Sequence, residues 1–184
     1  MSTLPEGQIL IPASRLGYPK LFKAQAIKDQ ADSKPRFGCQ IYLSKADEAT
    51  KAKIDKEVAR LSKANFKGVK PKSKDICFVD GDSDDNRDEH AKGHWVISAN
   101  RAEIQGRPQV VDRSKKAIDS SEAATVYAGC YCNFLVSFFV PKGWGKICAS
   151  LEIVQFVKDG DPFGAPRPVA EDVMPDLPDE EFEA

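Results

Sequence analysis

The chain has 184 residues, 41% of them hydrophobic, which suffices for one domain with a real core plus an extension and excludes whole-chain disorder. No apolar run approaches the roughly 18 residues of a membrane helix; the longest, 134–140, is broken by Ser137. The formal net charge of −1 divides unevenly: residues 169–184 hold seven acids and no base, leaving +6 on the remainder, and residues 1–76 alone carry +8. A basic body with an acidic end is the asymmetry of a nucleic-acid binder with an interaction tail.

Residues 1–12 read as a loosely held arm. Its opening lacks the basic head and apolar middle of a signal peptide. Residues 16–27 form a first, weakly alternating strand. A turn over 29–35 leads into 36–43, where Phe37, Cys39, Ile41 and Leu43 face one way and Arg36, Gln40 and Tyr42 the other. That alternation predicts a half-buried strand with a basic and aromatic outer face.

Ser44 followed by Asp47 resembles a helix start, and Ile54, Val58 and Leu61 recur at helical spacing, predicting an amphipathic helix over 46–64. The lysines on its other faces read as solubilising. A lysine-rich link (Lys67, Lys70, Lys72, Lys74) precedes a short strand at 76–79 and a polar loop at 80–93. Strands follow at 95–101, 109–112, 126–140 and 145–157; in the last, Ile147, Ala149, Leu151 and Ile153 are assigned to the core. Prolines at 162, 166, 168, 175 and 178 forbid regular structure near the end. About five or six strands with one inserted helix predict a mainly β protein, a small curved antiparallel barrel. A two-layer α+β sandwich is the competing architecture.

Enzyme motifs are missing. The acidic stretch 80–89 begins like an EF-hand, yet Asp85 and Ala91 stand where Gly and Glu are required. Cys130 and Cys132 lack a second pair at zinc spacing, and no phosphate-binding, dinucleotide or nucleophile motif occurs. No cofactor or metal is expected. Five cysteines, with Cys39 and Cys132 in apolar runs, fit buried thiols in a reducing, cytoplasmic setting.

What remains is cations interleaved with aromatics: Tyr18 with Lys20 and Lys23, Arg36 with Tyr42, Trp95 with Arg101 and Arg107, Tyr127 with Tyr131, and Trp144 between Lys142 and Lys146. Single-strand binding needs this mixture, because cations track phosphates while aromatic faces stack on bases of any sequence. Phe37, Phe134, Phe138, Trp95 and Phe156 are assigned to the core. Tyr42, Tyr131 and Trp144 are expected to be exposed.

Leu16-Gly-Tyr-Pro-Lys-Leu-Phe22, Tyr42-Leu-Ser-Lys45, Arg107-Pro-Gln-Val-Val-Asp112, Tyr127-Ala-Gly-Cys-Tyr131 and Leu151-Glu-Ile-Val-Gln-Phe-Val-Lys-Asp-Gly160 occur in that order. Together they resemble the single-stranded DNA-binding proteins of tailed bacteriophages. The resemblance covers about residues 14–165 and implies an OB-fold domain over 1–165 with a flexible acidic tail over 166–184. It implies a phage-encoded, non-catalytic protein of the bacterial host cell that coats single-stranded DNA in replication, recombination and repair. It makes Tyr18, Lys20, Arg107, Tyr127 and Tyr131 candidates for DNA contact. The tail residues Asp176, Leu177, Asp179, Glu180, Glu181, Phe182 and Glu183 are expected to compete with DNA and to recruit replication or recombination proteins. The tail departs from the Phe-terminated bacterial pattern, since Glu183 and Ala184 follow Phe182. Weaker duplex binding and a homo-oligomer are further expectations. The alternatives are a strand-annealing recombination protein and a metal-dependent nuclease using loop 80–89.

Overall fold

In the computed structural model, which describes residues 3–27, 30, 32–83, 88–164 and 173–175, a single long strand sets the architecture. Strand β1 (Gln8–Gln25) pairs antiparallel over its first half with β6 (Tyr131–Phe139) and over its second half with β2 (Arg36–Ser44). It changes partner by bending. Ala13 (φ 33°) and Tyr18 (φ 44°) take left-handed backbone angles where the registers break. The expected loose arm is thus corrected: Ile9 and Ile11 are buried, and Gln8 to Ile11 are paired with β6.

Strand β2 continues to β4 (His94–Ala102), and β6 to β7 (Cys148–Lys158), both antiparallel. A parallel contact between β4 and β7, Ala99 opposite Ala149 and Asn100 opposite Ser150, closes the ring. The result is a five-stranded barrel in the order β1-β2-β4-β7-β6, not a sandwich. Closure removes the exposed edges that an open sheet would present. Two short strands are added outside it: β3 (Phe78–Asp80) on β4 and β5 (Gln109–Val111) parallel to β7.

Inward residues of all five barrel strands, including Ile11, Ile41, Ile97, Phe134 and Leu151, form one core. Helix α1 (Glu48–Asn65) adds Ile54, Val58 and Leu61 to it. Asp47, not Ser44, caps this helix, its carboxylate accepting the Thr50 N–H at 2.9 Å. The strand expected from residue 126 starts at Tyr131, because the chain turns at Gly129 with φ 109°. Ile153 is only half-buried. A bulge between the Leu151 and Ile153 pairings inserts Glu152 and hands the core position to Val154. No described helix is long and apolar enough to cross a membrane.

Candidate nucleic-acid interface

Strand alternation sends Ile97, Ala99, Ala149 and Leu151 inward, so residues of opposite parity pave the outside of β4 and β7. Ser98, Asn100, Cys148 and Ser150 are the floor of an open groove of about 910 Å³. Gly38 of β2 keeps that floor flat, since a Cβ there would strike the Asn100 side chain. Cations and rings line the rim. Arg36 enters from the start of β2, Lys74 and Lys146 from the flanking loops, and Trp144 stands at the 141–146 turn, 58% exposed. The positive character is tempered by two acids. Asp75 lies 3.9 Å from Lys146, and Glu152 accepts from Arg101 at 2.7 Å. Arg36 and Lys146 pull the Cys148 thiol pKa down, but burial outweighs them and leaves it raised.

Of the residues singled out in the sequence, Arg36, Trp144 and Lys146 therefore meet at one groove, with exposed Lys142 in the same turn. Arg101 sits at its margin with its guanidinium committed: Nε–H donates to the Gly106 carbonyl at 3.0 Å, and the two other nitrogens to Glu152 and the Gln105 carbonyl. Tyr18, Lys20 and Lys23 lie along β1; Tyr18 is 57% exposed on its strained backbone, Lys23 is exposed and Lys20 half-buried. Arg107 is exposed, its guanidinium 5.5 Å from the Phe22 ring centroid. Tyr131 lies half-buried between Arg15 at 5.7 Å and Lys158 at 4.8 Å. Tyr127 is engaged locally, donating to the Asp159 carboxylate at 2.9 Å and accepting the Gly160 N–H at 3.2 Å. These residues are spread over the barrel and are not gathered at the groove.

Tyr42 requires a correction: expected to be exposed, it is 1% accessible. It does sit on the outer face of β2, but Ala91, Val96 and Phe163 cover that face. Its ring lies over Gly17, where any Cβ would collide with it, and its hydroxyl is hydrogen-bonded to Asp88 and to Gln40 Oε1. Burial first and Asp88 second push its phenol pKa far above the usual range. As folded, it offers no face to a base. Trp95, assigned to the core, is half-buried against it, with the Lys45 and Lys51 ammoniums 4.8 and 4.7 Å from its ring.

The acidic loop has structural partners. Lys45 Nζ lies 2.5 Å from Asp80 and 2.6 Å from Asp82, and Asp82 also accepts the Gly93 N–H at 2.8 Å. Among the described residues no three His, Cys, Asp or Glu side chains come together as a metal cluster. Residues 84–87 and the tail residues Asp176, Leu177, Asp179, Glu180, Glu181, Phe182 and Glu183 lie outside the described residues. Lys74, Ser98, Asn100 and Phe139 of the groove went unassigned in the sequence. Alternation along β4 opposes Ser98 and Asn100 to Ile97 and Ala99; nothing local marks them as part of a groove.

A closed five-stranded barrel of this strand order, with a ligand-sized groove across β4 and β7, is an OB-fold of the kind that binds oligonucleotides and oligosaccharides. Within that class the chain belongs to the family described as the single-stranded DNA-binding protein of Enterobacter phage Enc34, matched over residues 7–183. This is a family of binding proteins, not enzymes. Protein p50 of Acyrthosiphon pisum secondary endosymbiont phage 1 is 30% identical over 161 residues, covering 81% of this chain and 82% of that protein. Among solved structures, the single-stranded DNA-binding protein of bacteriophage Enc34 in complex with single-stranded DNA superposes with a TM-score of 0.74 at 27% identity, covering 86% of this chain and 90% of that one. The same protein without DNA gives 0.72 at 26% identity, with 90% and 89% covered. The fold alone is shared with gp2.5 of bacteriophage T7, at a TM-score of 0.53 and 12% identity over 85% of this chain and 94% of that one.

Proposed function

We propose that this protein binds single-stranded DNA without sequence preference in the groove across β4 and β7. It coats and protects the strand during phage DNA replication, recombination and repair in the host cytoplasm. The observation that carries the reading is the convergence, at one groove of an OB barrel, of Arg36 with Trp144 and Lys146 of a turn far along the chain. Arg36 and Lys146 neutralise phosphates, Trp144 offers a ring face to a base, and the polar floor accepts any base edge. The related Enc34 protein, whose structure is solved in complex with single-stranded DNA, supports this reading. The acidic tail competes with DNA for the basic body at high effective concentration and, once displaced, is free to recruit replication or recombination proteins. Duplex DNA binds more weakly, because its bases are not free to stack.

A titration of single- and double-stranded oligonucleotides at several salt concentrations tests this. Roughly four to six neutralised phosphates give a log K against log[salt] slope of about −3 to −4. A slope near zero, or equal affinity for duplex, overturns it. Deleting residues 171–184 is expected to tighten single-strand binding most at low salt.

A further inference from the structure

Helix α1 ends at Asn65, and the chain reverses through two left-handed residues, Lys67 (φ 53°) and Gly68 (φ 81°). The following link reaches the groove wall at Lys74. Over residues 67–74 it carries four lysines and no acid. All four are exposed, and among the described residues none takes part in an ion pair. The cations of α1 sit differently. They share the helix with Glu48, Asp55 and Glu57, and Lys51 pairs with Asp55 as Arg60 does with Glu57. Lys53, Lys56 and Lys63 are exposed and, among the described residues, take part in no ion pair, which makes them a matched control. A solvated basic surface is normally interleaved in that way; the link is not.

The link also encloses a second open depression, of about 560 Å³, whose lining includes Phe66, Val69, Lys70, Lys72 and Gly145. Lys74 and Asp75 line both this depression and the groove. The two meet at the 144–146 turn: Gly145 lines the one, Trp144 and Lys146 the other. Asp75, the acid at the junction, already faces Lys146 at 3.9 Å. Val69 is 70% exposed between the lysines, an apolar surface beside cations rather than a purely ionic one.

We infer that the 67–74 link is a second segment of the DNA path: a strand leaving the groove past Trp144 crosses this depression, its phosphates held by Lys67, Lys70 and Lys72. The inference rests on the groove being the single-strand site and extends that site by a stretch that only longer strands can reach. Unpaired cations lose nothing when they engage phosphates, which is why an uncompensated run is suited to the task.

The test compares full-length protein with the Lys67→Gln/Lys70→Gln/Lys72→Gln variant on dT8 and dT24. A control, Lys53→Gln/Lys56→Gln/Lys63→Gln, changes net charge equally on α1. The link variant is expected to bind dT8 within about twofold of the original. On dT24 it is expected to lose about tenfold or more, with a salt slope shallower by about 2, at 0.7 per phosphate for three phosphates. Undiminished dT24 binding overturns the inference. Equal losses on dT8 and dT24, or an equal loss in the control, overturn it too, because the effect would then be general charge rather than path. Failure of the unmodified protein to bind dT8 is a separate result that removes the groove reading itself.

Discussion

The Phe163 ring lies flat against the His90 imidazole, 3.9 Å between centroids with 10° between planes. The Arg15 guanidinium is 4.6 Å from the same ring, and Tyr42 meets it edge-on at 5.4 Å. The Phe163 N–H donates to the Ala128 carbonyl at 2.9 Å, and Arg15 Nη2 to the Asp161 carbonyl at 2.6 Å. The chain after β7 is thereby strapped across the barrel, and this strap is part of what hides Tyr42. Removing the ring with Phe163→Ala is expected to uncover Tyr42 and to cost about 1–2 kcal/mol, somewhat more than an aromatic pair alone. That is a fall of about 3–6 °C in Tm. The spectroscopic phenol titration should then show a tyrosine ionising closer to the normal range.

Tyr42 and Trp144 make opposite predictions. Tyr42→Ala empties a fully buried site and is expected to destabilise by about 3–5 kcal/mol, with DNA affinity per folded molecule retained. Trp144→Ala is expected to leave Tm unchanged and to weaken single-strand binding by about 1–3 kcal/mol at constant salt slope. Thermal melts with binding isotherms on both variants decide the two roles.

Arg36 and Arg101 differ in the same spirit. Arg36→Ala removes one rim cation and is expected to make the salt slope shallower by about 0.7. Arg101→Ala also releases Glu152, an acid on the groove wall. Its loss of affinity is expected to be partly restored by adding Glu152→Gln, measured as recovery in the double variant. A loss that the second change leaves untouched would assign Arg101 directly to phosphate.

The groove thiols allow a footprint. Cys77 and Cys148 are half-buried in it, whereas Cys39, Cys130 and Cys132 are buried. Burial raises both groove thiols, Cys77 to about 12, so the reactive thiolate is scarce at neutral pH and alkylation is expected to accelerate with rising pH. Bound dT24 is expected to slow iodoacetamide modification of Cys148 several-fold, read by mass spectrometry. An unchanged rate would place the strand elsewhere.

Acid sensitivity follows from Lys45. Its ammonium holds the Asp80 and Asp82 carboxyls below the usual carboxylate range, as the hydroxyls of Ser114 and Ser121 do for Asp112 and Asp119. A carboxylate whose folded pKa is depressed contributes stability above its unfolded value, near 3.9, and loses it as pH falls through the folded value. Tm is therefore expected to stay flat from about pH 8 to 5 and to drop below about pH 4. The Lys45 pKa is raised by the same two carboxylates, so its share is lost only at strongly alkaline pH. Lys45→Met is expected to loosen the 80–93 loop and to flatten the acid limb, measured by melts across pH.

Periodicity alone determined much of this protein. The alternation of Phe37, Cys39, Ile41 and Leu43 and the helical spacing of Ile54, Val58 and Leu61 are local properties, readable because side-chain direction repeats every two or 3.6 residues. The opposition of a basic body to an acidic end is a matter of composition and needs no fold to be read. Arg36, Trp144 and Lys146 were legible one by one as cations and a ring in exposed settings. Their convergence was not, because β2 and the β6–β7 turn come together only when the parallel β4–β7 contact closes the barrel. Tyr42 was misread for the same reason. Its place on the polar face of β2 is local, but the residues that cover it, Ala91 and Phe163, come from a loop and a strap far along the chain. Ile153 lost its core position to a bulge that depends on the pairing of two strands. The pattern of one strand says which way a side chain points; what lies in that direction is decided by the rest of the fold.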